Sequence, residues 1–177
     1  SGYAYNSADY ATWNFTGSVA ASIDLESPDG KIASGQGFFI KGIADGSAVF
    51  NNVMRVNGNN NQFFKQNNVE VETESNRVWL NMKGETAGFS QMLVGYVSNA
   101  TNGLDSRYDG QSFGGNQVSF YSIVDAKKLV IQGRALPFAA EETLPLGYNS
   151  TLATNITISI DHLDGLFTDQ DVYLQDN

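Results

Sequence analysis

The sequence predicts an all-β domain, an antiparallel β-sandwich or jelly-roll-like fold of about ten short strands. Segments with alternating apolar and polar residues recur at short spacing, whereas no stretch of 12 residues sustains the apolar pattern of an amphipathic helix. Turn residues are abundant, with 18 Gly and 18 Asn among 177 residues. No linker divides the chain, so we expect a single domain over residues 1–177.

The clearest hairpin lies near the middle of the chain. Residues 69–74 and 77–83 each alternate apolar and polar side chains, and the polar pair Ser75 and Asn76 separates them. Two strands joined by a two-residue polar turn are typical of a β-hairpin.

Three more segments predict strands further along. Residues 89–97 are apolar on both faces, which favours a central strand. Residues 118–124 and 128–134 flank the turn 125–127 and predict a second hairpin. Residues 155–160 alternate strictly, which makes their three isoleucines candidates for the core. Shorter apolar runs add four strand candidates, residues 38–40, 48–50, 62–65 and 172–174.

Composition excludes several classes of function. Ten basic against 19 acidic residues give a net charge of −9, which would repel a phosphate backbone, so we expect no nucleic-acid partner. No apolar run is long enough for a membrane span, so we expect no membrane insertion. The chain has no Cys and a single His, His162, so a Ser/His/Asp triad would have to use that residue.

Nine short motifs, in order from residue 10 to residue 176, resemble a β-sandwich module of the Bacteroidetes. The module lies near the C-termini of large secreted and surface proteins, ahead of a type IX secretion sorting domain. The motifs are YATWN at 10–14, IASGQGFFI at 32–40, VMR at 53–55 with FF at 63–64, VWLN at 78–81, GY at 95–96, ATNGLDSRYD at 100–109, IQGR at 131–134, LPLG at 144–147 and VYLQD at 172–176.

The resemblance implies an extracellular or cell-surface location and a non-catalytic accessory role, such as adhesion or carbohydrate binding. The partners it implies are glycans or surface polymers and the neighbouring domains of the same polypeptide. It also implies further strands on either side of this chain. It supplies no catalytic residues.

A polar loop at residues 100–110 is a candidate calcium site. Asp105 and Asp109 stand four apart, and Gly103 and Gly110 permit tight turns. Ca²⁺ takes several carboxylate and carbonyl oxygens from one folded loop, although the spacing of an EF-hand is absent. The alternative is that both aspartates cap turns and pair with Arg107 or Arg134.

Trp13, Asn14 and Tyr108 are the candidate ligand-binding residues. A flat aromatic ring can receive the C–H face of a sugar, while Asn, Asp or Gln bonds the hydroxyls. Trp residues of small β domains usually belong to the core, and we expect this of Trp79, which lies inside a strong strand pattern.

Two alternatives to an adhesive or sugar-binding module stay open. One is a structural spacer or a secretion-docking domain, which needs no ligand site. The other is a glycan-active enzyme on a jelly roll, whose paired carboxyl groups would be Asp105 with Glu141 or Glu142. We expect no enzymatic activity.

Overall fold

A computed structural model describes residues 9–23, 25, 27–57 and 75–176. These residues form the all-β fold that the alternating segments predict. The 3-10 helices Asn52–Met54 and Gly165–Thr168 accompany the strands. None of the helices in these ranges has the length and apolarity needed to cross a bilayer. The strands are β1 (Thr12–Trp13), β2 (Ser18–Val19), β3 (Asn76–Gly84), β4 (Phe89–Tyr96), β5 (Gly110–Gln111), β6 (Val118–Val124), β7 (Lys127–Arg134), β8 (Leu146–Ser150) and β9 (Ile156–Asp164).

The strands form two sheets. β1 pairs with β2, and the other seven form one sheet in the order β8-β6-β7-β4-β3-β9, with β5 also paired to β7. All pairs are antiparallel except β4 and β7. A parallel pair requires a long connection. The chain between β4 and β7, which includes β5 and β6, provides it.

The predicted central elements are confirmed. β3 covers the expected 77–83 segment, and it pairs with β4 on one side and β9 on the other. Its expected hairpin partner, residues 69–74, lies outside the described residues. β6 and β7 form the second predicted hairpin, whose turn residues Asp125 and Ala126 have φ of 48° and 60°. Positive φ at both central residues matches the twist of the paired strands.

Apolar side chains pack on both faces of β3 and β4, as expected for central strands. On one face, cluster I contains Val78, Met82, Met92, Val94, Tyr96, Val118, Phe120 and Phe167. On the other face, cluster II contains Val19, Trp79, Leu93 and Ile131, so the β1–β2 hairpin covers part of that face.

The seven-stranded sheet curls around cluster I. β6 contacts β3 although two strands separate them in the sheet order. Val118 and Phe120 of β6 therefore reach the same core as Met82 of β3. The curl encloses the face that carries cluster I. The opposite face, which carries cluster II and the β1–β2 hairpin, is more open.

β9 is longer than the predicted strand and contains a β-bulge. Trp79 lies opposite His162 and Leu80 opposite Ile160, which leaves Asp161 as the extra residue. Ile156 and Ile158 pack against cluster I, as predicted. The prediction that Ile160 is a core residue is wrong: it is 47% exposed because β9 is the last strand of the sheet order.

Trp79 is a core residue, as predicted, with 5% of its surface exposed. Its indole N–H donates to the carbonyl oxygen of Ser18 at 2.8 Å. The His162 ring stacks on the indole with centroids 3.8 Å apart, and its Nδ1 lies 2.6 Å from Asp161 Oδ2. The indole thus joins β3 to the β1–β2 hairpin on one side and to β9 on the other.

Three of the short strand predictions are wrong. Residues 38–40, 48–50 and 172–174 are not in strands, and most of their large apolar side chains are more than half exposed. A strand needs a neighbour to pair with and a surface to pack on, and a two- or three-residue apolar run specifies neither. The fourth candidate, residues 62–65, lies outside the described residues.

Candidate functional site

Trp13 is an exposed ring on a rigid support. It ends β1 and keeps 46% of its surface exposed. Gly30 lies directly against the indole, since a Cβ atom at Gly30 would be 2.6 Å from Trp13 Cε2. The φ of +81° at Gly30 also disfavours any side chain there. One side of the indole is therefore packed and the other is open to solvent.

Asn14 organises the turn that follows Trp13. Its Oδ1 accepts the backbone N–H of Thr16 at 2.9 Å and that of Gly17 at 3.4 Å. The N–H of Asn14 donates to the Gly17 carbonyl at 2.9 Å, which closes the β1–β2 hairpin. Asn14 was predicted to bind a ligand, but its side-chain oxygen shapes this loop instead. Asn side chains readily accept hydrogen bonds from backbone amides within a turn.

Trp13 and Tyr108, far apart in the chain, belong to one row of aromatic rings with Phe15 between them. The centroids of Trp13 and Phe15 are 5.8 Å apart, and those of Phe15 and Tyr108 are 6.2 Å apart. Phe15 is 67% exposed. We call these three residues the aromatic strip. It brings together two of the predicted ligand-binding residues.

Two hydrogen bonds hold the strip together. The N–H of Phe15 donates to the Arg107 carbonyl at 3.3 Å, and the Thr16 hydroxyl donates to the Tyr108 carbonyl at 2.7 Å. Thr16 is almost completely buried. The hairpin loop is therefore docked on the turn at 105–109, which fixes Phe15 beside Tyr108.

Asp109 holds that turn on the main sheet. Its Oδ2 accepts the N–H of Asp105, and its Oδ1 accepts the N–H of Gly133 in β7 at 3.0 Å. Burial raises the pKa of Asp109 from 3.8 to about 6, although both backbone hydrogen bonds act in the opposite direction. The carboxyl group thus positions Tyr108 from beneath.

The two aspartates of the calcium prediction both accept backbone N–H groups, Asp105 within the turn and Asp109 from the turn and from β7. Asp105 Oδ1 accepts the N–H of Arg107 at 3.2 Å, and the Asp105 carbonyl accepts the N–H of Asp109 at 2.7 Å. Within the described ranges, no group of three or more His, Cys, Asp or Glu residues is placed to hold a metal ion. The calcium site stays a prediction from the sequence, and the geometry favours the turn-capping alternative.

A polar row crosses the open face of the sheet beside the β1–β2 hairpin. Gln91 Oε1 accepts the N–H of Ala20 at 2.8 Å, and Gln91 Nε2 donates to Asn81 Oδ1 at 2.9 Å. Asn81 Nδ2 then donates to Asp161 Oδ1 at 2.8 Å. Both amides are buried. We call Gln91, Asn81 and Asp161 the amide row.

Glu142, one of the carboxyl groups considered for an enzyme, is held by two partners at the rim of cluster I. Its Oε2 accepts the Tyr96 hydroxyl at 2.7 Å, and its Oε1 accepts Arg134 Nη2. Burial opposes its ionisation, but these hydrogen bonds outweigh burial and lower the pKa of Glu142. Burial raises the pKa of Tyr96, helped by the Glu142 charge. Glu142 thus links Tyr96 of β4 to Arg134 of β7 at a partly exposed position.

Sequence reasoning missed Phe15 and the amide row. The available signal for Phe15 was its position two residues after Trp13, but the turn at Asn14 rather than strand alternation sets where its ring lies. Asn81 and Gln91 each occupy an alternating position of a predicted strand, on the face now seen to carry Trp79 and Leu93. Their pairing required the β3–β4 register, which the alternation alone does not specify.

Comparison with known proteins gives a family but no activity. No curated protein and no solved structure matches the chain. A family model described as a domain of unknown function (DUF8693) matches residues 1–177. The chain therefore belongs to the DUF8693 family.

Proposed function

We propose that the protein is a non-catalytic carbohydrate-binding module of a secreted or cell-surface protein, and that the aromatic strip is its binding surface. The observation that carries the proposal is the row of Trp13, Phe15 and Tyr108, two of whose rings are open to solvent. The resemblance of the nine motifs to a surface module supports the extracellular setting.

The chemistry of the strip suits a sugar chain. The electron-rich face of an aromatic ring attracts the weakly positive C–H groups of a pyranose, and ring burial adds a hydrophobic contribution. The three rings are tilted by 57° and 54° to their neighbours, so each offers its own face to a different sugar residue of a chain. Exposed aromatic rings that lie together are also unusual on a protein surface unless they contact a partner.

Preorganisation supports the same function. Gly30, Asn14 and Thr16 hold the backbone and one side of the strip, and Asp109 holds the turn beneath Tyr108. A binding surface whose rings are already positioned loses less conformational entropy when the ligand binds. These supports are hydrogen bonds and one close packing contact within the chain.

The test is binding of the purified protein to a panel of soluble plant, algal and bacterial polysaccharides, followed by titration with oligosaccharides of any class that binds. We expect Trp13→Ala to raise the Kd at least tenfold, which corresponds to about 1.4 kcal/mol. The matched control is Tyr148→Ala, because Tyr148 is also an exposed aromatic residue at 64% but lies on β8, outside the strip.

A structural spacer or secretion-docking role is the second candidate, and the exposed apolar residues of 38–54 favour it. Phe39, Val49 and Val53 are each at least 70% exposed, and such side chains commonly lie at contacts with another domain or protein. A folded protein that binds no glycan of the panel would favour this role over carbohydrate binding.

A further inference from the structure

Two hollows open on the sheet face beside the β1–β2 hairpin, away from the rings of the strip. They are shallow and open to solvent, with about 40 and 190 Å³ of space that a water-sized sphere can enter. Both are lined by Ala20, Phe89 and Gln91. The two hollows therefore form one groove, divided by the hydrogen bond from Ala20 to Gln91. We call it the Gln91 groove.

Aromatic residues line one half of the groove. Tyr10, Phe89 and Phe113 lie around it, and the rings of Tyr10 and Phe113 are 6.2 Å apart. Tyr10 also meets the Phe39 ring edge-on at 5.4 Å. This half provides apolar ring surface in a concave setting, which the strip lacks.

The amide row lies at the centre of the groove and in its other half. An amide NH2 group has two donors, and Gln91 and Asn81 each use one of theirs in the row. One N–H of each side chain and further lone pairs of the oxygens remain for another partner. Ser112 also lines the groove, and its hydroxyl oxygen accepts the N–H of Gly114 at 3.2 Å. Donors and acceptors are thus interspersed, as hydroxyl groups of a ligand require.

Charge in the groove is low. Among the described lining residues, Asp161 is the one with an ionised side chain, and none is basic. An anionic ligand would therefore find no counter-charge in a protein with net charge −9.

We propose that the Gln91 groove is a second saccharide site, specific for uncharged sugar residues. This proposal extends the carbohydrate-binding function and names its substrate class, neutral glycans without carboxylate or sulfate groups. The ring surface of Phe89, Tyr10 and Phe113 receives the C–H face of one sugar residue. The free donors and acceptors of Gln91 and Asn81 bond its hydroxyls. The hydrogen bonds within the row hold both amides in place before the ligand arrives.

The experiment follows the side-chain NH2 resonances of Gln91 and Asn81 by NMR during titration. The probes are neutral tetrasaccharides of glucose, xylose and mannose and oligosaccharides that carry uronate or sulfate groups. We expect a neutral probe to shift both side-chain signals at millimolar concentration and the anionic probes to leave them in place. If no neutral probe moves these signals, or if anionic probes move them equally, the proposal is wrong.

Two variants test the site itself. Ala21→Tyr places a large side chain in the groove while leaving the amide row intact, and we expect it to weaken the groove affinity at least tenfold with an unchanged melting temperature. Gln91→Met removes the amide at nearly the same length, with the same expected loss. An Ala21→Tyr protein that folds and binds with wild-type affinity would overturn the assignment.

Trp13→Ala separates this proposal from the strip. If Trp13→Ala abolishes one binding event and the Gln91 and Asn81 signals still shift, both sites exist. If the signals shift and Trp13→Ala changes nothing, the groove is supported and the strip is not the binding surface. If binding occurs only through Trp13 and the amide signals stay fixed, the strip is supported and the groove proposal fails.

Discussion

The hydroxyl of Thr16 donates a hydrogen bond to the carbonyl oxygen of Tyr108 at 2.7 Å, across 92 residues of sequence. Thr16 belongs to the loop between β1 and β2, and Tyr108 belongs to the turn before β5. This contact is what places Phe15 between Trp13 and Tyr108. The aromatic strip is therefore a tertiary feature, built by docking one loop on another.

Replacing Thr16 by Val tests this docking. The substitution keeps the shape of the side chain but leaves the Tyr108 carbonyl without its donor in a buried place. We expect a loss of about 1–3 kcal/mol in the free energy of unfolding, measured by urea denaturation. Thr101→Val is the control, because the Thr101 hydroxyl is exposed and its contact with Gly103 is long at 3.4 Å. Equal effects of the two substitutions would contradict the role given to Thr16.

Gly133 provides a steric test of the same support. A Cβ atom there would lie 2.5 Å from Tyr108 Cβ and 2.7 Å from the Thr16 hydroxyl oxygen. We expect Gly133→Ala to displace the turn, to cost about 1–3 kcal/mol of stability and to weaken glycan binding. Gly103→Ala is the matched control in the neighbouring loop, where a Cβ would meet no atom within 4 Å. Unchanged stability and binding in Gly133→Ala would show that the turn is not held as described.

The raised pKa of Asp109 predicts that the stability of the protein depends on pH. Its pKa is raised from 3.8 to about 6 in the folded protein, so the folded state binds the proton more tightly than the unfolded state. Protonated Asp109 therefore contributes to the free energy of unfolding. This contribution is fully present below pH 3.8 and is lost as the pH rises through about 6. We expect the free energy of unfolding to fall by up to about 3 kcal/mol between pH 4 and pH 7 because of this carboxyl group alone.

The measurement compares wild type with Asp109→Asn by denaturant unfolding across that pH range. Asn cannot ionise, so the fall in stability with rising pH should be smaller in the variant. Asp125→Asn, at an exposed hairpin turn, should keep the wild-type pH profile. If Asp109→Asn and wild type have parallel profiles, burial does not perturb Asp109 as described.

Calcium provides a fourth test. The carboxylate oxygens of Asp109 already accept two backbone N–H groups, so we expect neither added Ca²⁺ nor EDTA to change the melting temperature. A ligand that binds the native state alone must raise the free energy of unfolding by RT ln(1 + L/Kd), where L is the free ligand concentration. A Ca²⁺-dependent rise that disappears in Asp105→Ala would restore the calcium site predicted from the sequence.

The sequence was most informative where a strand carries its own pattern over seven or more residues. β3, β4, β6 and β7 alternate clearly, and their positions and the β6–β7 hairpin were predictable. The parallel pairing of β4 with β7 was not, because nothing in either strand specifies a neighbour that arrives 31 residues later, from Tyr96 to Lys127. The short apolar runs failed for the related reason that no partner strand is encoded within them.

The candidate site was predictable in part. Trp13 and Tyr108 were predicted because aromatic rings can receive the C–H face of a sugar. Their connection through Phe15 depends on the docking of one loop on another, which the sequence does not show. Asp109 was singled out from its spacing in a Gly-rich loop, but as a candidate calcium ligand beside Asp105. Its partner, the N–H of Gly133, lies 24 residues away on another strand, so its structural role could not be read from the loop.

The most direct measurement of the central claim is the indole N–H region of the NMR spectrum during titration with a glycan that binds. The chain has two tryptophans, Trp13 on the strip and Trp79 in the core with its N–H bonded to Ser18. We predict that the Trp13 signal moves with the binding isotherm and that the Trp79 signal stays in place. A glycan that binds while the Trp13 signal remains unchanged would contradict the assignment of the aromatic strip as the binding surface.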